Sequence, residues 1–216
     1  MSLQSWNDLF FDLAEFDALR DEQKRQGLND FSLLGSVLSV NDEVRLHTRF
    51  LYALLNPQGK HYRGTRFLEL FLESIGRKWW LNMEDPSALV IRKEYCPSGK
   101  GEQIDLYISD GFRQIVIENK LNAQDQEGQV ARYLEAVGAT SPDCADETLF
   151  IYLTKGRHSP SRFGLGKLKI VSSPVGLVLT KPDHEPVAQY QSLSYRRNTG
   201  SGSIHAWLDV CEQELE

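Results

Sequence analysis

The chain has 216 residues, 41% hydrophobic and 25% charged, with a formal net charge of −6. That composition can bury one core of ordinary size, and the acidic balance argues against a surface that is basic throughout. No run approaches the roughly 20 apolar residues of a membrane span, and the opening MSLQSWNDLF lacks the basic start and apolar centre of a secretory signal, so the expectation is a soluble cytoplasmic protein with no membrane partner.

In chain order, Leu9, Phe10, Leu13, Phe16 and Leu19 recur at helical spacing and predict an amphipathic helix from Leu3 to about Arg25. A second helix starts after Asn41, a good N-cap, and runs to the stop at Asn56-Pro57; a third covers about Thr65 to Trp80. After Pro86 the period changes to alternation, and ALVIRKEY, EQIDLYIS and RQIVIENK read as strands. Helix returns from Asn122 to Val137, strand at TLFIYLT, and irregular chain rich in Gly, Ser and Pro from Lys155 to about Pro186. AQYQSLSY reads as a strand and SIHAWLDVCEQEL as a closing helix. This order predicts one α/β domain over 1–216: a mixed central β-sheet flanked by helices, with an N-terminal helical extension (1–40), a core (41–154) and a basic loop, strand and helix (155–216). Cys96, Cys144 and Cys211 are odd in number and lack ligand spacing, which argues against a disulfide framework and a cysteine metal site.

Asp110-Gly111, between two alternating runs, predicts a two-residue hairpin turn. With those two residues at the tip, Ile104 faces Ile117 and Leu106 faces Ile115. Asp105, Glu118 and Lys120 then emerge together on the opposite face, the two carboxylates as diagonal neighbours about 7 to 8 Å apart. Glu-x-Lys alone is most often an exposed ion pair of little energetic weight. A second carboxylate on the same face changes the reading, since two neighbouring carboxylates repel unless a proton or a metal ion intervenes. Oxygen ligands select a hard ion, Mg²⁺ or Mn²⁺, and an ammonium beside them suits hydrolysis of a phosphate ester.

Gln129 and Tyr133 are four apart, on the shoulder of an apolar stripe of Val130, Leu134 and Val137, and can reach the sheet edge. On the second helix Glu43 and His47 extend the stripe that continues through Phe50 and Leu54. Glu in a first turn is also favoured by the helix dipole, and a lone His is more often a structural residue than a ligand, so both readings stand for this pair. Residues 151 to 200 carry eight Lys or Arg against Asp183 and Glu185, a net +6 in an acidic chain. Such a segment is either a solvated face or a phosphate-facing surface, with Lys155, Arg157 and Arg162 the residues nearest the predicted site.

Asp105 followed by Glu118-Asn119-Lys120 resembles the D...(D/E)-x-K element of the PD-(D/E)XK nuclease superfamily, and Gln129-x-x-x-Tyr133 is similar to the Q-x-x-x-Y motif of its RecB-type members. The similarity runs from about Asn29 to Thr154, with a weaker echo at SLSYRRNTGSGSIHAWL, and the chain resembles bacterial families of the group in particular. The resemblance implies a restriction-endonuclease-like core and a Mg²⁺- or Mn²⁺-dependent nuclease acting on DNA in defence, repair or recombination. It implies Glu43, Asp105 and Glu118 as acidic residues of the metal site, Lys120 as the catalytic lysine, and Gln129 and Tyr133 as its helical support. His47 matches a histidine of some RecB-type sites. Ile104 stands where many members have Pro. The rival reading is a non-catalytic nucleic-acid-binding or protein-interaction module that retains the fold; neither reading decides between a monomer and a homo-oligomer.

Overall fold

The computed structural model describes residue 19 and residues 21–27, 46–97, 99, 101–121, 123–196 and 202–215. Of the expected N-terminal helix, residue 19 and residues 21–25 are helical and residues 26–27 form a turn; the rest, like Glu43, Asn122 and Arg197, lies outside the described residues. Helix α1 (Leu46–Leu55) ends just before Asn56-Pro57, as expected. Helix α2 (Arg66–Ser74) is shorter than expected, because the chain past Ile75 closes the helix with Gly76 N to Glu73 O at 3.0 Å and Arg77 N to Leu72 O at 2.7 Å, the bonds of a Schellman end.

Strands β1 (Val90–Tyr95), β2 (Ile104–Ser109) and β3 (Gln114–Lys120) form an antiparallel meander. Helix α3 (Gln129–Ala136) and a 3₁₀ turn (Pro142–Asp146) lead to β4 (Thr148–Thr154), which is parallel to β3. All seven residues of β4 are buried, as expected for a central parallel strand covered on both faces. The segment read as irregular holds a one-turn helix α4 (Arg162–Leu165) and a hairpin of β5 (Lys169–Ser173) and β6 (Gly176–Thr180). The abundance of Gly, Ser and Pro masked two short alternating runs that meet across a tight turn, Ser173 pairing with Gly176. Strand β7 (Pro186–Ser194) is parallel to β4, and helix α5 (Ile204–Gln213) closes the chain, with Ser203 Oγ accepting from Ala206 N at 3.1 Å.

The result is a mixed α/β sheet of seven strands in the order β1-β2-β3-β4-β7-β6-β5. Helices α1, α2 and α5 cover one face, where Leu106, Ile108, Ile115, Ile117, Leu149 and Ile151 pack against Leu55, Phe71 and Trp207. Fully burying each such side chain contributes about 1.5–3 kcal/mol. Trp207 Nε1 donates to Phe67 O at 3.0 Å, so the indole also satisfies its polar atom. On the other face α3 lies over Val116, Phe150, Tyr152 and Tyr190 through Val130, Tyr133 and Leu134. No helix among the described residues is long and apolar enough to cross a membrane. Cys96, Cys144 and Cys211 are free thiols.

Candidate active site

The β2–β3 turn places the first two acidic residues. Gly111-Phe112, and not Asp110-Gly111, occupy its two central positions. Asp110 N donates to Arg113 O at 3.2 Å, and Asp110 Oδ1 accepts from Phe112 N at 2.9 Å and Arg113 N at 2.6 Å. Gly111 has φ 90, while Asp110 and Phe112 stay in the negative-φ region, the pattern of a turn that takes glycine first. The expected pairing therefore slides by two residues: Leu106 pairs with Ile117 and Ile108 with Ile115. An even slide leaves alternate side chains on their expected faces.

Continued one step, this register sets Asp105 directly across from Glu118 instead of diagonal to it. Both ladders of β2 break at Asp105. The β1 ladder passes from Lys93↔Leu106 to Tyr95↔Ile104 over Glu94, whose φ is 52. On the β3 side Asp105 Oδ2 accepts from Asn119 N at 2.8 Å, in place of a main-chain carbonyl. Beyond the break Ile104, expected beside Leu106 and Ile117, packs instead with Val116 and Tyr133 on the α3 side.

Glu118 and Lys120 face α3, and both are buried. Lys120 Nζ lies 2.8 Å from Glu118 Oε1, with side-chain exposures of 8% and 4%. Burial, and then the charge of Asp105, push the Glu118 carboxyl up to about 7, against the opposing pull of Lys120. Gln129 Nε2 donates to Glu118 Oε1 at 2.9 Å and to the Tyr133 hydroxyl at 2.8 Å; that hydroxyl donates to Gln103 O at 2.7 Å. The four-residue spacing thus ties α3 to β3 and to the entry of β2 at once. Burial and the nearby Glu118 charge raise the Tyr133 pKa, so its phenol stays neutral.

Asn119 points to the other face and joins α1 to the sheet. Its Nδ2 donates to Thr48 Oγ1 at 3.4 Å, and its Oδ1 accepts from the Tyr195 hydroxyl at 3.1 Å. His47 stands edge-on to the Tyr195 ring at 5.2 Å, and burial together with the charge of Lys155 lowers its pKa. Thr48 and Tyr195 carried no signal in the sequence, since they reach Asn119 from elements far away along the chain.

Asp125 is a second residue that sequence reasoning passed over. Its Oδ1 accepts from the Tyr152 hydroxyl at 2.5 Å and its Oδ2 from Ser161 N at 2.7 Å. Burial alone would raise its pKa, but the bonds from Ser161 and Tyr152 and the charge of Lys120 outweigh it and hold the carboxyl below its usual range. A Cβ on Gly164 would lie 2.6 Å from Asp125 Cγ, so α4 docks here only because that position has no side chain. Helix α3 starts at Gln129, later than the expected Asn122, and the clasp holds the beginning of the basic segment beside the lysine. Lys155 and Arg162 are exposed, and Arg157 Nη2 donates to Gly202 O at 2.8 Å.

The structure thus gathers Asp105, Glu118, Lys120, Gln129 and Tyr133 around one point, with His47 on the α1 side of Asn119. Among the described residues no three or more His, Cys, Asp or Glu side chains cluster for a metal ion. Glu118 Oε2 is buried and accepts no hydrogen bond, and the charge of Asp105 acts on the same carboxyl group. Two hard oxygen donors with a vacant lone pair fit a divalent cation better than a purely structural ion pair.

The family profile described as the PD-(D/E)XK nuclease superfamily matches residues 28–216. No curated protein and no solved structure matches the chain. The profile spans most of the chain and takes in β2, β3 and α3, and the mixed sheet with helices on both faces is consistent with a restriction-endonuclease-like core, so the chain belongs to the PD-(D/E)XK nuclease superfamily.

Proposed function

We propose that the chain is a metal-dependent deoxyribonuclease, hydrolysing phosphodiester bonds of DNA with Mg²⁺ or Mn²⁺ held by Asp105 and Glu118. Membership of the superfamily supports phosphodiester hydrolysis in general, and its nucleases generally use divalent ions. The observation that carries the finer reading is the buried pair Lys120 and Glu118, 2.8 Å apart, with the Asp105 charge next to it. A structural ion pair gains nothing from a second carboxylate, which raises the cost of ionising the first.

When bound, the ion polarises a phosphoryl oxygen and favours ionisation of a water molecule. Lys120 offers an ammonium, in a site of low dielectric, to the negative charge that builds on the phosphoryl oxygens in the transition state. Gln129 fixes the rotamer of Glu118, and Asn119 N–H fixes that of Asp105. Glu43 and His47 complete the site from the α1 side in this reading; a neutral imidazole, which the lowered His47 pKa favours, is the form able to ligate. Lys155, Arg157 and Arg162 contact backbone phosphates, a placement supported by the pairing of Lys120 with Thr154 just before this segment.

Incubation of the purified protein with linear, circular and single-stranded DNA and with RNA, in Mg²⁺, Mn²⁺ or EDTA, tests the proposal. DNA should be cut only with an ion present, and Lys120→Ala should slow cutting by about 10² to 10³. Preferential cleavage of RNA would replace the substrate. No cleavage of any nucleic acid, together with no ion binding by calorimetry, would leave the non-catalytic module as the account.

A further inference from the structure

A groove of about 490 Å³ lies between the end of α2 and strands β6 and β7, with Ile75, Arg77, Arg157, Gln191 and Ser192 in its walls. Among the described residues that line it there is no carboxylate, while two guanidinium groups enter from different parts of the chain. Arg77 is about half-buried, its cation over the Trp80 ring at 5.7 Å, and no described carboxylate pairs with it. Burial pushes its pKa below the ordinary value, the mark of a charge taken out of water without a compensating anion. Arg157 is anchored by its bond to Gly202 O at 2.8 Å, and Gln191 Nε2 donates to Ile75 O at 3.0 Å, which ties β7 to the end of α2.

The groove is level with the catalytic row. Ser192 pairs with Tyr152, and Tyr152 with Glu118, so along the sheet the groove lies two strands from Glu118, on the face that α2 covers, whereas Glu118 faces α3. Two strands span about 10 Å at the usual strand spacing. A nucleic-acid strand that touches both must round the C-terminal edge of β4, so at about 3.4 Å per phosphate more than about three nucleotides separate the two contacts. Lys155 and Arg157 follow Thr154, the partner of Lys120, and carry positive charge from the site toward the groove along the C-terminal edge of β4.

We propose that this groove is a second phosphate subsite, in which Arg77 and Arg157 hold the nucleic-acid backbone a few nucleotides from the bond that is cut. The inference rests on the nuclease reading for its ligand but adds a residue, Arg77, outside the basic segment. Two guanidiniums at fixed positions suit the planar, bidentate recognition of a phosphate, and such a contact adds affinity without base preference.

Binding of labelled single-stranded and duplex oligonucleotides, followed by anisotropy in EDTA over a range of salt, tests this without requiring cleavage. Arg77→Ala and Arg157→Asn, the latter chosen because Asn tolerates the φ of 59 at that position, should each lower the slope of log affinity against log salt by about 0.9 on duplex and 0.7 on single strands. The double variant should lose about twice as much, with equal weakening across sequences. Arg77→Lys should keep most of the slope, which separates lost charge from lost folding, and melting curves verify each variant. An unchanged slope in the double variant, in a parent that cuts DNA, overturns the groove and leaves the nuclease standing. A reduced slope in a protein that cuts nothing supports the groove and removes the nuclease. A parent that binds no oligonucleotide overturns the groove, as does calorimetric binding of inorganic phosphate lost in the double variant while its oligonucleotide slope is unchanged.

Discussion

Gln129 on α3 and Glu118 on β3 are joined by one hydrogen bond of 2.9 Å, and the same amide nitrogen lies 2.8 Å from the Tyr133 hydroxyl. The carboxylate is therefore held from the helix as well as by Lys120. Gln129→Ala should leave buried polar atoms on both Glu118 and Tyr133 with one partner fewer, at a cost of about 1–3 kcal/mol in urea unfolding. Cleavage should slow more than stability alone explains. Unchanged kinetics in a well-folded variant would make the amide a structural support only.

Lys120→Ala separates catalysis from ion binding. The ammonium supplies no ligand oxygen, whereas Glu118 does. Cleavage should drop by about 10² to 10³, on the scale of a lost transition-state donor, while Mn²⁺ binding remains measurable by calorimetry. Glu118→Ala should lose both. Wild-type cleavage by Lys120→Ala would sink the catalytic assignment.

The Glu118 carboxyl also predicts a pH signature for the ion-free protein. Its pKa rises from 4.5 to about 7 on folding, chiefly through burial and then through Asp105. Between those values the folded state holds a proton that the unfolded chain has released, so stability is highest below the window. It falls as pH rises through the window, by at most about 1.4 kcal/mol per unit from this group. Urea midpoints in EDTA, compared between the parent and Glu118→Gln, should show a slope in this window that the variant lacks. Mn²⁺ affinity should climb over the same range, since the ion displaces that proton. Equal slopes in parent and variant would mean that Glu118 is ionised throughout.

Asp125 accepts from Tyr152 and from Ser161 N, which clasps the α4 turn to the sheet beside Lys120. Asp125→Ala should orphan both donors at a cost of about 1–3 kcal/mol. Amide hydrogen exchange should speed up at Ser161 and Gly164, in the clasped turn, before it does in β4. Uniform protection in the variant would show that the turn is held by its other contacts.

The sequence by itself determined what depends on short periods. Alternation located β1, β2 and β3; the apolar run of β4 marked a strand; and a four-residue spacing put Gln129 and Tyr133 on one side of a helix. Parity alone placed Glu118 and Lys120 on one face, and it survived an error in the turn because the slide was even. Tertiary structure decided the rest. Whether Asp110 or Gly111 leads the turn depended on side-chain bonds from Asp110 to Phe112 and Arg113, and that choice moved Asp105 from diagonal to opposite Glu118. Tyr195 on Asn119, Asp125 on Tyr152 and Ser161, and the approach of Arg77 and Arg157 join residues tens of positions apart, for which no local period exists. The elevated pKa of Glu118 belongs to the same class, because it arises from burial and from a neighbour on another strand, and neither is a property of the Glu-x-Lys tripeptide.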